Sequence, residues 1–460
     1  MEKEQTYPVE FLLRMELLLG DEYPEFLKAL DQPAPVSVRV NPYKNNELFV
    51  NSERIPWCKD GYYLATRPVF TIDPVFQAGG YYVQEASSMF LEQVITHLEL
   101  KQRNITVLDL SAAPGGKSTH LLSLLSKESL LVANEVIKSR VSVLEENIVK
   151  WGCSNFVITN NDPSDFTELT GFFDVILVDA PCSGEGMFRK DKQASKHWNP
   201  SNVDLCVSRQ NRIINDILPA LKPDGYLIYS TCTWNEQENE NNIKNIVGSN
   251  DLSSVRIPLQ KQWGVVETKT DVDNELIYSY RFYPHKLNGE GFFISCLKKA
   301  GINDEVYGKK IKKSQIPFAS VKDKNVIAKW LTYPDNFEFL IINEQLFAIK
   351  KTYFENFLQL KGSLYLKSAG LNMGKVIRDE LIPSHDLALS VEIASDVPFI
   401  ELDLKQAIDY LRKVDIVLET STMQGWVIVK YKGLSLGWVK VLKNRINNYF
   451  PKELRIRMQV

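Results

Sequence analysis

A strand–helix alternation between residues 105 and 229 constrains this chain more than any other feature. Apolar runs at Ile105–Leu110, Leu130–Asn134, Phe156–Thr159, Val175–Val178 and Tyr226–Tyr229 read as strands. Helical stretches at Ser118–Ser126 and Ser139–Trp151 separate the first three, and Val203–Leu221 precedes the last. Such alternation predicts a mostly parallel sheet covered on both faces, with ligands at the carboxyl ends of its strands. Arg281–Pro284 and Gly291–Leu297 add a near-antiparallel tail. Ahead of this block, residues 8–30 read as two short amphipathic helices. Val36–Val40 then alternates as a strand and stops at Asn41-Pro42. Beyond it, 300–318 reads as a linker, Trp330–Leu360 as a strand-rich unit, and 385–460 as strands with a short helix at Gln406–Lys413.

Composition narrows the function classes. At 460 residues, 44% apolar and 24% charged, the chain can build several cores and is neither fibrous nor disordered. No apolar stretch nears the roughly 20 residues a spanning helix needs, and the N-terminus carries no apolar signal core, so no membrane partner is expected. Cys58, Cys153, Cys182, Cys206, Cys232 and Cys296 form no C-x-x-C pair, which suits a reducing, cytoplasmic setting. The five histidines show no ligand spacing, so no metal is expected. Net charge is −3, but the stretch from Lys298 onward carries 26 basic and 18 acidic residues, +8, leaving −11 before it. Basic clusters at Lys309–Lys329 and Lys430–Arg457, beside Tyr431, Trp438 and Tyr449, suit a phosphate backbone with stacking surfaces. A solvated lysine surface would give the same count.

The loops between strand and helix carry the chemistry. After the first strand comes Ser111-Ala112-Ala113-Pro114-Gly115-Gly116-Lys117-Ser118. Small residues there let backbone N–H groups approach a ligand at a helix N-terminus. A phosphate loop would need glycine where Ser111 stands, and the dinucleotide spacing also fails. The second strand ends in Asn134-Glu135, placed to accept hydrogen bonds from ribose hydroxyls, and the third in Asn160-Asn161-Asp162, suited to an adenine edge. Either acid alone reads as a cap. Together, behind a glycine-rich loop, they favour an adenosyl ligand. The fourth strand ends in Asp179-Ala180-Pro181-Cys182-Ser183-Gly184-Glu185-Gly186 and the fifth in Ser230-Thr231-Cys232-Thr233, followed by helix-like Glu236–Val247. Asp179, Cys182 and Cys232 should therefore share one crevice. Polar neighbours near a helix N-terminus would favour a Cys232 thiolate.

These residues closely resemble the Sun-like, nucleolar-protein family of RNA cytosine-5 methyltransferases. The matching pieces are 112–117, 179–186, 230–233, Arg281–His285 with Gly291–Phe293, and Tyr82–Met89. Arg39-Val40-Asn41-Pro42 looks like the family's N-terminal module. Ser384–Ala388, Gly437-Trp438 and Asn444–Pro451 are similar to the RNA-binding tail of its bacterial small-subunit ribosomal RNA branch.

The resemblance implies an α/β fold: a Rossmann-like S-adenosylmethionine-dependent methyltransferase core with a small N-terminal α/β module and a C-terminal pseudouridine-synthase-like (PUA-like) RNA-binding domain. It implies an RNA-binding module over 1–79 and a catalytic domain over 80–300. A basic linker over 301–318, an α+β subdomain over 319–384 and the PUA-like domain over 385–460 follow. Carbon 5 of cytosine is a poor nucleophile, and a thiolate adding to carbon 6 is the remedy. The resemblance makes Cys232 that nucleophile, has Cys182 assist release, and puts Asp179 on the ring nitrogen and exocyclic amine, with Lys117 near the base. On residues alone the order of the cysteines stays open, since DNA cytosine methyltransferases attack with the one that follows proline. By the same resemblance Ser111, Ala112, Ala113, Pro114, Gly115, Gly116, Lys117, Glu135, Arg140, Asp162 and Asp179 line the cofactor site. Arg39, Asn41, Arg281, His285, Lys440 and Arg445 contact RNA. The expected partner is small-subunit ribosomal RNA, met by a monomer. A transfer-RNA target and a non-catalytic ribosome-assembly factor are the alternatives.

Overall fold

The computed structural model describes residues 7–44, 47–301, 316–414, 416 and 423–458. Lys309, Lys310, Lys312 and Lys313 of the expected linker lie outside them.

Helices α1 (Val9–Leu19) and α2 (Tyr23–Leu30) open the chain. Strands β1 (Val36–Val40), β2 (Gly61–Leu64) and β3 (Tyr81–Val83), with the short α3 (Pro74–Gln77) before β3, then form a small antiparallel sheet in the order β2-β1-β3. Helix α4 (Leu91–His97) leads into the alternating block. Its elements are β4 (Thr106–Asp109), α5 (Gly116–Leu124), β5 (Leu130–Asn134), α6 (Lys138–Trp151), β6 (Phe156–Thr159) and β7 (Phe173–Asp179). There follow α7 (Lys192–His197), α8 (Pro200–Ile217), β8 (Leu221–Thr231), α9 (Glu240–Gly248) and β9 (Leu252–Ser254). An antiparallel tail of β10 (Val266–Val272), β11 (Glu275–Phe282) and β12 (Phe292–Lys299) closes it.

Five strands run parallel in the order β8-β7-β4-β5-β6, and β12 joins β8 antiparallel. The chain order reverses between β4 and β7. In open α/β sheets ligands sit in the crevice at that reversal. The strands are apolar on both faces because both faces are buried. Leu108, Ile176 and Leu227 point into one core with α8 and α9, while Val107, Val175 and Ile228 point into the other with α4, α5 and α6.

The rest of the chain is less separable than its sequence suggests. After α10 (Val321–Ala328) come β13 (Phe337–Ile342), β14 (Gln345–Lys350), α11 (Phe354–Ser363), β15 (Leu366–Ala369), β16 (Leu371–Ile377) and β17 (Glu380–Pro383). Strand β15 pairs antiparallel with β6 and so extends the central sheet. Helix α11 buries Phe357, Leu358 and Leu360 in the core that holds Leu108 and Ile176. The stretch read as strand-rich therefore supplies one covering helix of the central sheet. After α12 (His385–Leu389), the C-terminal unit combines β18 (Phe399–Glu401), α13 (Leu404–Leu411), β19 (Gly425–Tyr431), β20 (Leu434–Leu442) and β21 (Arg445–Asn448). Tyr410, Val427 and Leu436 of this unit share a core with Val38, Tyr62 and Tyr81 of the N-terminal sheet. The two ends of the chain pack on each other.

Candidate active site

Two strand ends, those of β7 and β8, meet beside the chain reversal. The parallel register of β7 with β8 sets Asp179 level with Ser230, so the loops that follow start side by side. Cys182 Sγ lies 3.0 Å from Cys232 Sγ, and the Cys232 backbone N–H donates to Cys182 Sγ at 3.3 Å. The Cys182 thiol is pushed well above its ordinary range by its hydrogen bond to Cys232, by burial, and by the charges of Cys232 and Glu238. Asp179 accepts from Ser230 Oγ at 2.8 Å and pairs with Lys117 Nζ at 2.8 Å. Lys117 also sits 5.3 Å from the centre of the Phe292 ring. Burial works against its charge, but Asp179, Asp109 and Cys232 together outweigh burial and the net shift is upward, so Lys117 is a cation.

The loop after β4 is held open from behind. The Ala112 N–H donates to Asn134 O at 2.8 Å and the Ala113 N–H to Glu135 Oε2 at 3.3 Å. Arg140 Nη2 donates to Ala113 O at 2.6 Å, and Asn147 Nδ2 to Pro114 O at 2.8 Å. Gly115 has φ +113°, and a Cβ there would meet Asn147 at 3.3 Å; only glycine suits that turn. The loop faces a cavity of about 200 Å³ lined by Tyr82, Gln84, Glu85 and Ser88 on one side and by 111–114, Gly116, Lys117 and Asp179 on the other.

Of the residues singled out in the sequence, Ser111–Pro114, Gly116, Lys117 and Asp179 line this cavity, and Gly115 shapes its turn. Glu135 and Arg140 brace the loop from behind it. Asp162 lies outside the lining: it caps the turn at Ser164 and pairs with Arg212 at 3.2 Å. Helix α9 starts at Glu240, later than the expected Glu236.

Four residues expected to touch RNA are turned inward. Arg39 is 1% exposed; it donates to Gln84 Oε1 at 2.8 Å and Thr119 Oγ1 at 2.7 Å and lies over Trp151, which ties the N-terminal sheet to the start of α5. Asn41 is fully buried and donates to Gly79 O and Trp151 O. Arg281, 2% exposed, pairs with Glu240 and donates to Trp234 O at 2.9 Å. The His285 ring sits against Phe26 with Nε2 3.4 Å from Glu22. Polar groups of all four are taken up by internal partners. Trp438, expected as a stacking surface, is likewise buried and donates to Ser384 O. Lys440 pairs with Glu380 at 2.9 Å across Trp426, and Arg445 is exposed on β21.

Several residues of the site went unread. Glu185 is fully buried under Arg14 (2.6 Å), Trp198 Nε1 and the Trp234 N–H, which binds α1 to the Cys182 loop. Glu238 is fully buried against Ser183. An acid inside a loop gives no periodic signal; only the pairing of 179–186 with 230–240 exposes it. Among the described residues, metal-type donors converge at Cys58, Glu92 and His120, whose ligand atoms lie within 4.8 Å of one another. That is three donors where a structural zinc takes four, and none of them lines the cavity.

Comparison with known proteins decides the family. Residues 95–298 match the family described as 16S rRNA methyltransferase RsmB/F, residues 7–86 the N-terminal domain of 16S rRNA methyltransferase RsmF, and residues 397–456 the methyltransferase RsmF PUA domain. A ribosomal RNA small subunit methyltransferase F from Shewanella loihica is 31% identical over 448 residues, 94% of this chain and 91% of its own. The chain belongs to the ribosomal RNA small subunit methyltransferase F family. A second relative of that name, from Vibrio vulnificus, is 30% identical and covers 97% of both chains. A solved methyltransferase homologue from Pyrococcus horikoshii is 27% identical, covers 64% of this chain and 100% of its own, and superposes with a TM-score of 0.51. The structure of NSun6 from Pyrococcus horikoshii with SFG, 20% identical, has the same fold at a TM-score of 0.53 over 65% of this chain and 100% of its own. As a member of the methyltransferase F family, this chain is an S-adenosylmethionine-dependent RNA methyltransferase with a Rossmann-like core and a PUA domain. The lining suits that cofactor: the small residues of the loop after β4 and the Asp179 carboxylate face one space, with Glu135 at the next strand end directly behind the loop. No helix among the described residues is long and apolar enough to cross a membrane.

Proposed function

We propose that this chain methylates carbon 5 of cytosine in small-subunit ribosomal RNA through a transient bond between Cys232 and the base. The observation that carries the reading is the sulfur pair. Two cysteines from different strand ends touch at 3.0 Å, near an aspartate–lysine pair that lines the cavity of the glycine-rich loop.

Cys232 Sγ adds to carbon 6 of a cytosine taken out of its stack, which makes carbon 5 nucleophilic. Asp179, held by Ser230 and Lys117, takes the ring nitrogen and exocyclic amine and stabilises the adduct. S-adenosylmethionine supplies the methyl group as an electrophile. Loss of the carbon-5 proton to water, with breakage of the bond between carbon 6 and the Cys232 sulfur, then restores the ring. Cys182 assists that departure, its S–H donating to the leaving sulfur. Ser111–Lys117 hold the cofactor, braced by Glu135 and Arg140 with Glu135 toward the ribose, and Asp162 reaches adenine by giving up its pair with Arg212. Lys440 and Arg445 of the PUA domain carry phosphate contacts.

Incubation of small-subunit ribosomal RNA with methyl-labelled cofactor, followed by digestion to nucleosides, tests this. Label recovered as 5-methylcytidine is expected; label in any other nucleoside, or none, refutes it.

A further inference from the structure

The two thiols touch each other, yet their surroundings differ, and the difference is a buried carboxylate. Glu238, just past β8, is fully buried and reaches back to the Cys182 loop. Its Oε1 accepts from the Ser183 N–H at 2.8 Å and from Gln210 Nε2 at 3.2 Å, and its Oε2 accepts from Ser183 Oγ at 2.5 Å. Ser183 Oγ in turn meets Thr233 Oγ1, next to Cys232, at 3.0 Å. Gln210 Nε2 also donates to Pro181 O at 3.0 Å, so Glu238 and α8 together clamp both flanks of Cys182.

We propose that Glu238 is the positioning residue that assigns the roles of the two cysteines. Strapped to the residue after Cys182, its negative charge disfavours a second negative charge on that sulfur. When the pair gives up one proton to solvent, the remaining proton therefore stays on Cys182 and Cys232 becomes the thiolate. No cation pairs with Glu238 among the described residues. The titratable groups around it are Glu185, Cys206, Tyr229 (whose hydroxyl donates to Glu238 O) and the two cysteines. Lys117 of α5 is a cation within electrostatic reach of Cys232 and is paired with Asp179. Burial raises the Glu238 carboxyl to about 7, so the charge is present in the alkaline range where thiols titrate. This rests on the covalent reading above, because only an attacking sulfur needs to be told from its neighbour.

The test follows alkylation of Cys182 against pH by peptide mass spectrometry, without RNA or cofactor. It uses the full chain carrying Cys232→Ser, which removes the coupling of the two thiols, with and without Glu238→Gln. Removing the charge should lower the Cys182 midpoint by about one pH unit, about tenfold faster alkylation at a fixed pH below both midpoints. A midpoint that stays put or rises in a folded Glu238→Gln chain overturns the proposal. Should that variant not fold, the unsubstituted chain still decides: Cys232 must be alkylated at lower pH than Cys182, and the reverse order overturns it. Since neither readout needs methyl transfer, failure here is distinct from failure of the cytosine-5 reading.

Discussion

Cys182 and Cys232 stand 50 positions apart in the chain and 3.0 Å apart in space. The contact follows from one register. Asp179 of β7 is level with Ser230 of β8, and the Ala180 N–H donates to Ser230 O at 2.8 Å. Each cysteine sits two or three residues beyond that last rung, and Glu238 and Glu185 hold the two loops against each other from below.

The Lys117–Asp179 pair is expected to act mainly in the transition state, where charge develops on the base. Lys117→Met should lower the single-turnover methylation rate about 10²-fold, the scale of losing one preorganised donor. Cofactor affinity, measured by titration calorimetry, should change far less.

Glu135 should act on binding instead. Its carboxylate, 2% exposed, accepts from the Ala113 and Ile137 N–H groups and faces the loop from the next strand end. Glu135→Ala is expected to weaken S-adenosylmethionine binding by about 2 kcal/mol, a charge-assisted hydrogen bond's worth, and Glu135→Gln by less. Calorimetry with cofactor alone reads this, and RNA affinity should stay unchanged.

Asp109 makes stability depend on pH. It is fully buried, Ser118 Oγ donates to its Oδ2 at 2.6 Å, and its Oδ1 has no partner. Burial raises its carboxyl to about 7. Between about pH 4 and 7 the unfolded chain gives up this proton while the folded chain keeps it. Stability therefore falls as pH rises through that window, by as much as about 4 kcal/mol, and levels off above it. Asp109→Asn removes the dependence. Its melting temperature relative to the unsubstituted chain should climb from pH 4.5 to 7.5 and then hold; a difference independent of pH would contradict this.

Buried and exposed arginines should part company. Arg39→Ala strips Trp151, Gln84 and Thr119 of a shared partner and is expected to cost about 3 kcal/mol of stability with no change in the salt dependence of RNA binding. Arg445→Gln should leave melting unchanged and lower the slope of log affinity against log salt by about 0.7, the value of one phosphate contact on a single strand. Such substitutions are the proper probe of the basic tail. Ending the chain near Ala300 would remove β15 and α11 and open the core around Leu108 and Ile176.

The central block was legible because β4–β8 are buried on both faces, and continuous apolar runs separated by amphipathic helices leave few other folds. The site was legible where loop residues have no structural reason to be what they are, as with Cys182 and Cys232. What stayed hidden depends on contacts between distant segments. Nothing in Leu366–Ala369 says that it will pair with β6, and nothing in Val38 or Tyr410 says that the two chain ends share a core. Arg39 and Arg281 were misread for a related reason: sequence reports a charge but not its neighbours, and Trp151 and Glu240 lie 112 and 41 positions away.

The most direct test of the account compares Cys232→Ala and Cys182→Ala with small-subunit ribosomal RNA and S-adenosylmethionine on a denaturing gel. Cys232→Ala is expected to give no methylation and no adduct, and Cys182→Ala, which attacks but releases slowly, a trapped protein–RNA band. Full-rate methylation by Cys232→Ala, or an adduct from that variant alone, would contradict it.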